Sequence, residues 1–433
     1  MGPRDLGVGV VWWPPLDALC GDREGLIDVI EAEPEAYWVP TSDGRGFRSF
    51  LPDALEHLPQ PKLLHGVGAP LGGECSPPVG HTAALAADVV ALQPAHVSEH
   101  LSFARYQAGD SNSPVFAGFM LPPLQSPAGV ALATANIRQY RKALGGIPLA
   151  VETPVSYLPP IPGEWPDGAF VAAAAEAADC GILLDLHNVL CNARNGRQSV
   201  VAFCDALPLE RIWDLHLAGG EREAGFWVDA HSGLVEPELM DIAAGLIPRL
   251  TQLRAIIFEI MPERVSAVGL TAIGRQLGQI KDLWNTRAKC RGWHPKSVGG
   301  GPSTETPIDP GAWSTLLGSA VSGPTLPALD EVLATWWDST APALDLYRLL
   351  VGEGRASAVA AAAPRTTRLL LRQQGSATTR QRLVEFWRHS PQAYTAADEA
   401  QAFLRFLLAA DPALPGLAEA AAQDATELAR LCI

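Results

Sequence analysis

The chain has 433 residues, of which 48% are hydrophobic, and a formal net charge of −15 at pH 7. Its length exceeds the usual range of one domain, so we expect a large domain and a smaller one. The acidic balance argues against a nucleic-acid partner, because phosphate contacts require clustered Lys and Arg. No uncharged apolar run reaches the roughly eighteen residues of a membrane span, so no membrane partner is predicted. The N-terminus lacks a signal-peptide pattern, which predicts a cytoplasmic protein.

Eight short apolar runs, rich in β-branched residues, recur through the first 260 residues, and helix-like Ala- and Leu-rich stretches lie between most of them. Strands that alternate with helices imply parallel pairing, and eight such units predict an α/β fold, a closed (βα)8 barrel of the TIM type. An open, doubly wound sheet is the alternative. The predicted strands are residues 7–12, 36–39, 61–65, 95–100, 147–152, 181–186, 211–216 and 255–260.

The composition changes after the predicted barrel, which we assign to residues 1–290. Residues 291–307 are rich in Gly, Pro, Ser and Thr and are predicted to be a linker. Residues 308–433 show apolar spacings of three and four and no convincing strand, which predicts a separate, small all-helical domain.

In a TIM barrel the C-terminal ends of the strands lie at the catalytic face. Six of the eight predicted strands end in a residue type that can bind metal, and the loop after the seventh strand adds Asp229 and His231. The residues at the strand ends are His65, Glu99, His100, Glu152, Asp185, His216 and Glu259.

Bound metal ions explain this pattern better than isolated structural roles. A single strand-end histidine is more often a satisfied hydrogen-bonding group, but several buried carboxylates without partners would be very costly. Mixed imidazole and carboxylate ligands suit zinc, manganese or iron, and a set without thiolates disfavours a structural zinc site. The number of ligands exceeds what one ion can use, so we predict a multinuclear cluster in which Glu152 and Asp229 could bridge.

Seven motifs occur in the order HGVG, SEHLSF, VETPVSYL, LLDLHNV, DLHLAGG, VDAHSG and FEI. Over roughly residues 5–285 this combination resembles the multinuclear non-heme iron-dependent oxidative enzymes, the family of the methanobactin-modifying oxidase. The resemblance implies two or three iron ions (Fe²⁺/Fe³⁺), dioxygen as cosubstrate, and catalytic roles for Glu152, His216 and Asp229. The residues that it implies bind or organise the metals are His65, His100, Glu152, Asp185, Asn188, His216, Asp229, His231 and Glu259.

The same order of motifs also resembles the endonuclease IV branch of barrels, which uses three zinc ions. In that branch the sixth strand usually ends in Asp-x-x-His, whereas Asn188 occupies the last position here, as in the iron oxidases. Two features depart from the iron family. His187 stands where that family commonly has the first of two Asn residues, and the second predicted strand (residues 36–39) lacks the expected acidic segment.

The resemblance implies an oxidase that modifies a ribosomally synthesised peptide, often at cysteine, with a partner protein that binds the peptide leader. Residues 402–430 are similar to the helical part of such partners, which predicts that the oxidase is fused to a leader-recognition domain. The alternative role for this domain is oligomerisation or support of the barrel. Two other classes stay open: a metal-dependent hydrolase or sugar isomerase on the same barrel, and a metal-free binding or scaffold protein. The precursor peptide and the oligomeric state are also left open.

Overall fold

The computed structural model describes residues 5–21, 25–43, 45–108, 113–287, 308–322 and 331–431. The predicted linker, residues 291–307, lies outside the described residues, and the predicted domain boundaries stay predictions. In chain order the described strands are β1 (Gly7–Val11), β2 (Val29–Ala32), β3 (Trp38–Pro40), β4 (Phe47–Ser49), β5 (Lys62–Gly66), β6 (Val97–His100), β7 (Phe103–Tyr106), β8 (Val115–Leu121), β9 (Leu149–Glu152), β10 (Gly181–Asp185), β11 (Ile212–Glu223), β12 (Phe226–Gly233) and β13 (Ala255–Glu259).

Eight parallel strands close into a barrel, as the sequence predicts. The barrel strands are β1, β2, β5, β6, β9, β10, β11 and β13; each pairs with the next member of this set, and β13 pairs back with β1. The barrel therefore has no open edge. Its register places His100 opposite Glu152 and Asp185 opposite His216, so candidate ligands on neighbouring strands lie side by side.

The predicted position of the second strand is wrong. The barrel strand is β2, whose four residues are all buried, and residues 36–39 instead end a 3₁₀ helix (Pro34–Tyr37) and begin β3. A strand of a parallel barrel is covered on both faces and must be apolar throughout. The β-branched run that leads into β2 meets this requirement, whereas Ala36 is exposed and Tyr37 and Val39 are only partly buried.

The helices cover the barrel and continue beyond it. The described helices from Pro310 onwards form the C-terminal helical region. Among the described helices, none combines the length and the apolar character needed to cross a lipid bilayer. The helices are α1 (Asp17–Cys20), α2 (Leu51–Leu55), α3 (His81–Leu92), α4 (Pro127–Ala143), α5 (Asp167–Ala178), α6 (Leu186–Arg194), α7 (Val200–Ala206), α8 (Pro237–Leu246), α9 (Pro262–Val268), α10 (Leu270–Thr286), α11 (Pro310–Ser322), α12 (Glu331–Ser339), α13 (Ala341–Ala362), α14 (Pro364–His389), α15 (Ala396–Ala410) and α16 (Leu417–Leu431).

The main core joins the barrel strands to the helices packed around them. Leu184 and Phe258 from the strands and Ile273 and Leu277 from α10 are completely buried in it. Because apolar burial contributes roughly 25 cal/mol per Å², a core of this extent supplies the main driving force that holds the strand ends in place.

The C-terminal helical region shares a second hydrophobic cluster with the segments that follow barrel strands β6 and β9. Trp313, from α11, packs in the same cluster as Phe103 of β7 and Leu121 of β8. The indole Nε1 of Trp313 also donates a hydrogen bond of 2.9 Å to the carbonyl of Pro122. The helices are therefore bound to the barrel by a common core and not only by the chain that connects them.

This shared core predicts the effect of truncating Trp313, which is 2% exposed. We expect Trp313→Ala to lower the free energy of unfolding by about 3–5 kcal/mol, since it leaves a cavity that both regions line. Denaturant unfolding monitored by circular dichroism measures this loss. Trp313→Phe, which keeps an aromatic ring, should lose less. An unchanged midpoint for the alanine variant would show that the two regions do not depend on this core.

Candidate metal centre

Three neighbouring strand ends bring two histidines to one carboxylate. The Nε2 atoms of His65 and His100 lie 3.1 Å and 2.8 Å from the same Glu152 oxygen, Oε2. The other ring nitrogens are already engaged: Nδ1 of His65 hydrogen-bonds to Ser98 Oγ at 2.8 Å, and Nδ1 of His100 donates to the Gly66 carbonyl at 3.1 Å. Histidines that bind metal are commonly held in this way, with the second nitrogen fixed by a neighbour.

A second group forms around His216, which is completely buried. Its Nε2 lies 2.8 Å from Glu31 Oε1, and its Nδ1 lies 3.1 Å from Glu259 Oε1. Glu31 comes from β2, His216 from β11 and Glu259 from β13, so three strands of the barrel contribute one residue each. The imidazole is thus in contact with a carboxylate on both sides.

A third group lies nearer to solvent, at the C-terminal ends of the barrel strands, where β12 folds back on the extended end of β11. His231 Nε2 is 2.8 Å from Asp229 Oδ1 and 3.3 Å from Glu259 Oε2. The side chains of Asp229 and His231 are 18% and 21% exposed, so this group is open to solvent while the other two are closed. His231 also has a φ of +42°, a backbone conformation that is costly for a non-glycine residue and is often found at functional sites.

Asp185 and Asn188 connect these groups through the start of α6. One carboxylate oxygen of Asp185 caps the helix by accepting the N–H of Asn188 at 2.9 Å, which leaves its other oxygen, Oδ2, without a hydrogen bond. The side-chain nitrogen of Asn188 lies 3.5 Å from Glu152 Oε1. A short cap at the end of β10 therefore aims both side chains at the cluster.

The structure brings all nine residues predicted from the sequence into this one cluster, and it adds a tenth, Glu31. The sequence analysis missed Glu31 because it placed the second strand too late. The segment IDVIEA (residues 27–32) carried the signal: an apolar, β-branched run that ends near an acid, as in β9, β10 and β13. We call the set of ten the ligand cluster: Glu31, His65, His100, Glu152, Asp185, Asn188, His216, Asp229, His231 and Glu259.

Other polar residues near the ligand cluster have structural partners. Glu99 accepts the backbone N–H groups of Ala69 and His100, and thus braces the loop after β5. His187 lies 3.9 Å from Asp229 Oδ1 and 3.5 Å from the thiol of Cys191. It is therefore a neighbour of the cluster, close to its solvent-facing group.

The residues present fit a set of metal ions. Buried polar atoms normally have hydrogen-bond partners, and each exception requires an explanation. Within the described chain, buried polar atoms without a hydrogen-bond partner are concentrated in the ligand cluster. Its histidine nitrogens and carboxylate oxygens lie about 3 Å apart, but in several of these contacts the angles are not those of a hydrogen bond. Four triplets each offer ligand atoms within 4.8 Å of one another: His65, His100 and Glu152; Glu31, His216 and Glu259; Glu152, Asp185 and His216; and Asp185, His231 and Glu259. The unpaired atoms are both carboxylate oxygens of Glu31, Glu152 Oε2, Asp185 Oδ2, Asn188 Oδ1, both ring nitrogens of His216, Asp229 Oδ1, His231 Nε2 and Glu259 Oε2.

The charges of the cluster compensate one another strongly. Burial opposes protonation of His100, His216 and His231, but the neighbouring carboxylates outweigh it and raise the pKa of each imidazole well above its ordinary value. Burial likewise opposes ionisation of Glu259, yet the charges of His216 and His231 lower its pKa to about 2. Asp185 differs, because burial and the nearby acids raise its pKa well above the usual range. Metal cations inside the cluster would replace the protons that the imidazoles and Asp185 hold in the metal-free protein.

Comparison with known proteins identifies relatives of the barrel. The family model of the RiPP precursor modification enzymes MbnB/TglH/ChrH matches residues 7–263. A UPF0276 protein of Chromobacterium violaceum is 33% identical over 227 residues, which cover 52% of this chain and 79% of that protein. A UPF0276 protein of Caulobacter vibrioides is 29% identical over 271 residues, which cover 60% of this chain and 92% of that protein. With a UPF0276 protein of Streptomyces avermitilis the identity is 32% over 251 residues, and the match spans about half of that relative, 49%.

Solved structures resemble this chain only weakly. The IOLI protein with a bound zinc atom has a TM-score of 0.40 at 12% identity and covers 66% of this chain and 99% of its own. D-psicose 3-epimerase has a TM-score of 0.36 at 12% identity and covers 68% of this chain and 99% of its own. Similarities this low do not bear on function, whereas the family match extends over more than half of the chain. The chain belongs to the MbnB/TglH/ChrH family of RiPP precursor modification enzymes.

Proposed function

We propose that this enzyme is a dioxygen-dependent, multinuclear non-heme iron oxidase that modifies a ribosomally synthesised peptide at cysteine. Membership of a peptide-modifying family supports the class of substrate. The observation that carries the metal chemistry is the ligand cluster, in which Glu152, Asp185, His216 and Glu259 each belong to two of the four triplets. Shared ligands are expected where two or three ions lie close together.

The ligand types favour iron. His65, His100 and Glu152 form a set of two histidines and one carboxylate, which is the donor set of many non-heme Fe(II) oxygenases. His216 with Glu31 and Glu259, and His231 with Asp185 and Glu259, would hold further ions. Asp229 and Asn188 would complete the coordination at the edges of these groups. Carboxylates between the ions, above all Glu152 and Glu259, would act as bridges.

Bound iron would supply one-electron redox chemistry towards dioxygen, and the chain's own residues would control where that chemistry takes place. Glu31 and His216 are completely buried, which keeps water from the inner side of the centre. Asp229 and His231 are partly exposed, so a peptide side chain would approach from the side of β12. A substrate thiol reaching this side would lie next to the open group while the closed groups hold their geometry.

We also propose that the C-terminal helical region recognises the peptide leader, and a cleft beside it supports this role. A cleft of about 550 Å³ lies between the barrel and these helices, and Trp38, Phe47, Phe116 and Tyr394 contribute aromatic surface to it. Its lining includes residues from β3, β4 and β8 on one side and from α13 to α16 on the other. An apolar segment of a leader bound there would hold the core of the peptide near the catalytic face.

The proposal is tested by loading the full chain with Fe²⁺ under anaerobic conditions and counting ions per chain. Coexpression with short cysteine-containing peptides encoded beside its gene, followed by mass spectrometry, then detects modification. Two or more irons per chain and an oxygen-dependent mass change at cysteine support the proposal. Zinc or manganese with sugar epimerisation or phosphodiester hydrolysis would favour the hydrolase or isomerase class instead. A chain that takes up no metal would refute both.

If the leader binds in this cleft, a large side chain at Ala396 should block it. Ala396 lines the cleft and is an exposed residue at the start of α15. Ala396→Trp should weaken binding of the labelled leader peptide at least about tenfold, because a large ring occupies the apolar surface. Fluorescence anisotropy measures this affinity. Ala410→Trp, at the exposed far end of the same helix, is the matched control and should bind the leader normally. Equal binding by both variants would exclude the cleft as the leader site.

The position of Glu31 beside His216 predicts that its substitution changes the metal content. We expect Glu31→Gln to bind about one ion fewer per chain, because a neutral amide is a poorer ligand for the ion beside His216. Glu399→Gln is the matched control: Glu399 is also a buried carboxylate, 1% exposed, but its partner is Arg355 at 2.6 Å and not a histidine of the cluster. Elemental analysis after gel filtration gives the number of ions. If both variants retain the wild-type number, Glu31 is not a ligand.

The raised histidine pKa values predict that the stabilisation of the fold by bound metal depends on pH. In the metal-free protein these protonated imidazoles stabilise the fold below about pH 6.5, the ordinary histidine pKa, and this stabilisation is lost as pH rises through the raised values. Metal ions require neutral imidazoles and add stability by binding. The difference in Tm between metal-loaded and metal-free protein should therefore increase from about pH 6 to about pH 8. Calorimetry at constant metal concentration measures it, and a constant difference would contradict the expectation.

A further inference from the structure

Two buried tyrosines connect the C-terminal helical region to the solvent-facing group of the ligand cluster. Tyr157 follows β9 and is 2% exposed, and Tyr347 lies on α13 and is completely buried. The backbone N–H of Asp229 donates a hydrogen bond of 3.1 Å to the hydroxyl of Tyr157. The backbone N–H of Tyr157 in turn donates a hydrogen bond of 3.2 Å to the hydroxyl of Tyr347. Two consecutive hydrogen bonds thus lead from α13 to Asp229.

The packing around Tyr157 leaves it little freedom. Its ring is 5.2 Å from the ring of Tyr347 and 6.4 Å from that of Phe226, measured between centroids. From the other side, Asn192 on α6 accepts the N–H of Ser156 at 2.7 Å and donates to the carbonyl of Pro154 at 3.0 Å. The segment that follows Glu152 is therefore held by α6 on one side and by α13 on the other.

Asp229 lies beyond the barrel, on a hairpin that contacts with neighbouring segments hold in place. Strand β12 pairs only with the extended end of β11, and this antiparallel ladder is irregular between Gly219 and Glu221. A two-stranded hairpin is only marginally stable by itself. Asn195, just after α6, exchanges two hydrogen bonds with the backbone of Trp227, and the N–H of Met261 donates to the carbonyl of His231 at 3.0 Å. Between these two attachments, the bond to Tyr157 holds the backbone of Asp229 itself.

We propose that Tyr157 and Tyr347 are positioning residues for the metal centre: they fix Asp229 and thereby let the C-terminal helical region set the affinity for the ion beside Asp229 and His231. This inference rests on the metal centre proposed above. It gives the helical region a second role in addition to binding the leader. The role needs no contact between these helices and the ions, because the Tyr347 hydroxyl holds the backbone of Tyr157 and the Tyr157 hydroxyl holds the backbone of Asp229.

The test compares three Tyr→Phe variants of the full chain, each of which keeps the ring and removes one buried hydroxyl. Tyr157→Phe and Tyr347→Phe interrupt the connection to Asp229. Tyr106→Phe is the matched control, since the Tyr106 hydroxyl bonds to Ser322 Oγ at 3.0 Å at the same junction without leading to the cluster. Anaerobic Fe²⁺ titration against a chelator gives the dissociation constant of each ion, and thermal unfolding of the metal-free variants gives Tm.

We expect Tyr157→Phe to weaken binding of one ion about tenfold or more, as loss of a residue that orients a ligand commonly does. Tyr347→Phe should weaken the same ion by a smaller factor, and the double variant should resemble Tyr157→Phe, because both act along one connection. The control should leave every dissociation constant unchanged while lowering Tm by a similar amount.

The outcomes separate this inference from the proposed function. If wild type binds iron and all three variants keep its dissociation constants, the tyrosines do not position Asp229, and the proposed metal centre stands. If wild type binds no metal, the proposed function is wrong, and the inference about the tyrosines is wrong with it. Should Tyr157→Phe fail to fold, the shift of the same ion in Tyr347→Phe, relative to the control, decides the question.

Discussion

The arrangement of this protein depends on acidic side chains concentrated in the mouth of a closed barrel. Glu31, Glu152, Asp185 and Glu259 are almost completely shielded from water, although burying a carboxylate without a partner is very costly. Their charge must be balanced within a few ångströms, and four histidines lie among them to do so. In the metal-free protein protons make this balance, because the carboxylates raise the pKa of the imidazoles, while burial and the neighbouring acids raise that of Asp185. With metal bound, cations would take the place of these protons.

This constraint explains why so much of the surrounding structure is rigid. The histidines at the ends of β5 and β6 have one ring nitrogen engaged by Ser98 or Gly66, so that only the other nitrogen faces Glu152. Asp185 serves as the cap of α6 and as a member of the cluster. A ligand that also completes secondary structure cannot turn away without loss of a helix cap, which is worth about 1 kcal/mol. The fold thus maintains the cluster before any ion is bound.

The C-terminal helical region belongs to this arrangement more closely than the sequence indicates. Spacing of apolar residues predicts helices there, which is confirmed, and the separate helical domain stays a prediction. The described helices share a core with β7, β8 and the segment after β9, and α13 reaches the backbone of Asp229 through Tyr347 and Tyr157. Recognition of a leader on these helices and positioning of the metal centre would then be properties of one body.

The sequence by itself determined the barrel, seven of its eight strands and the residue types of the cluster. These features are local: each strand is a short apolar run, and each ligand type stands at its end. The second strand was misplaced because two neighbouring runs compete between residues 27 and 39, and only packing decides which one enters the barrel. Glu31 was missed for that reason. The tertiary structure alone decided which candidate ligands meet, since closure of the barrel sets the contacts between residues on different strands. It also decided the connection from Tyr347 to Tyr157, whose hydrogen-bonded residues lie 190 positions apart in the chain, because no local pattern encodes a contact at that separation.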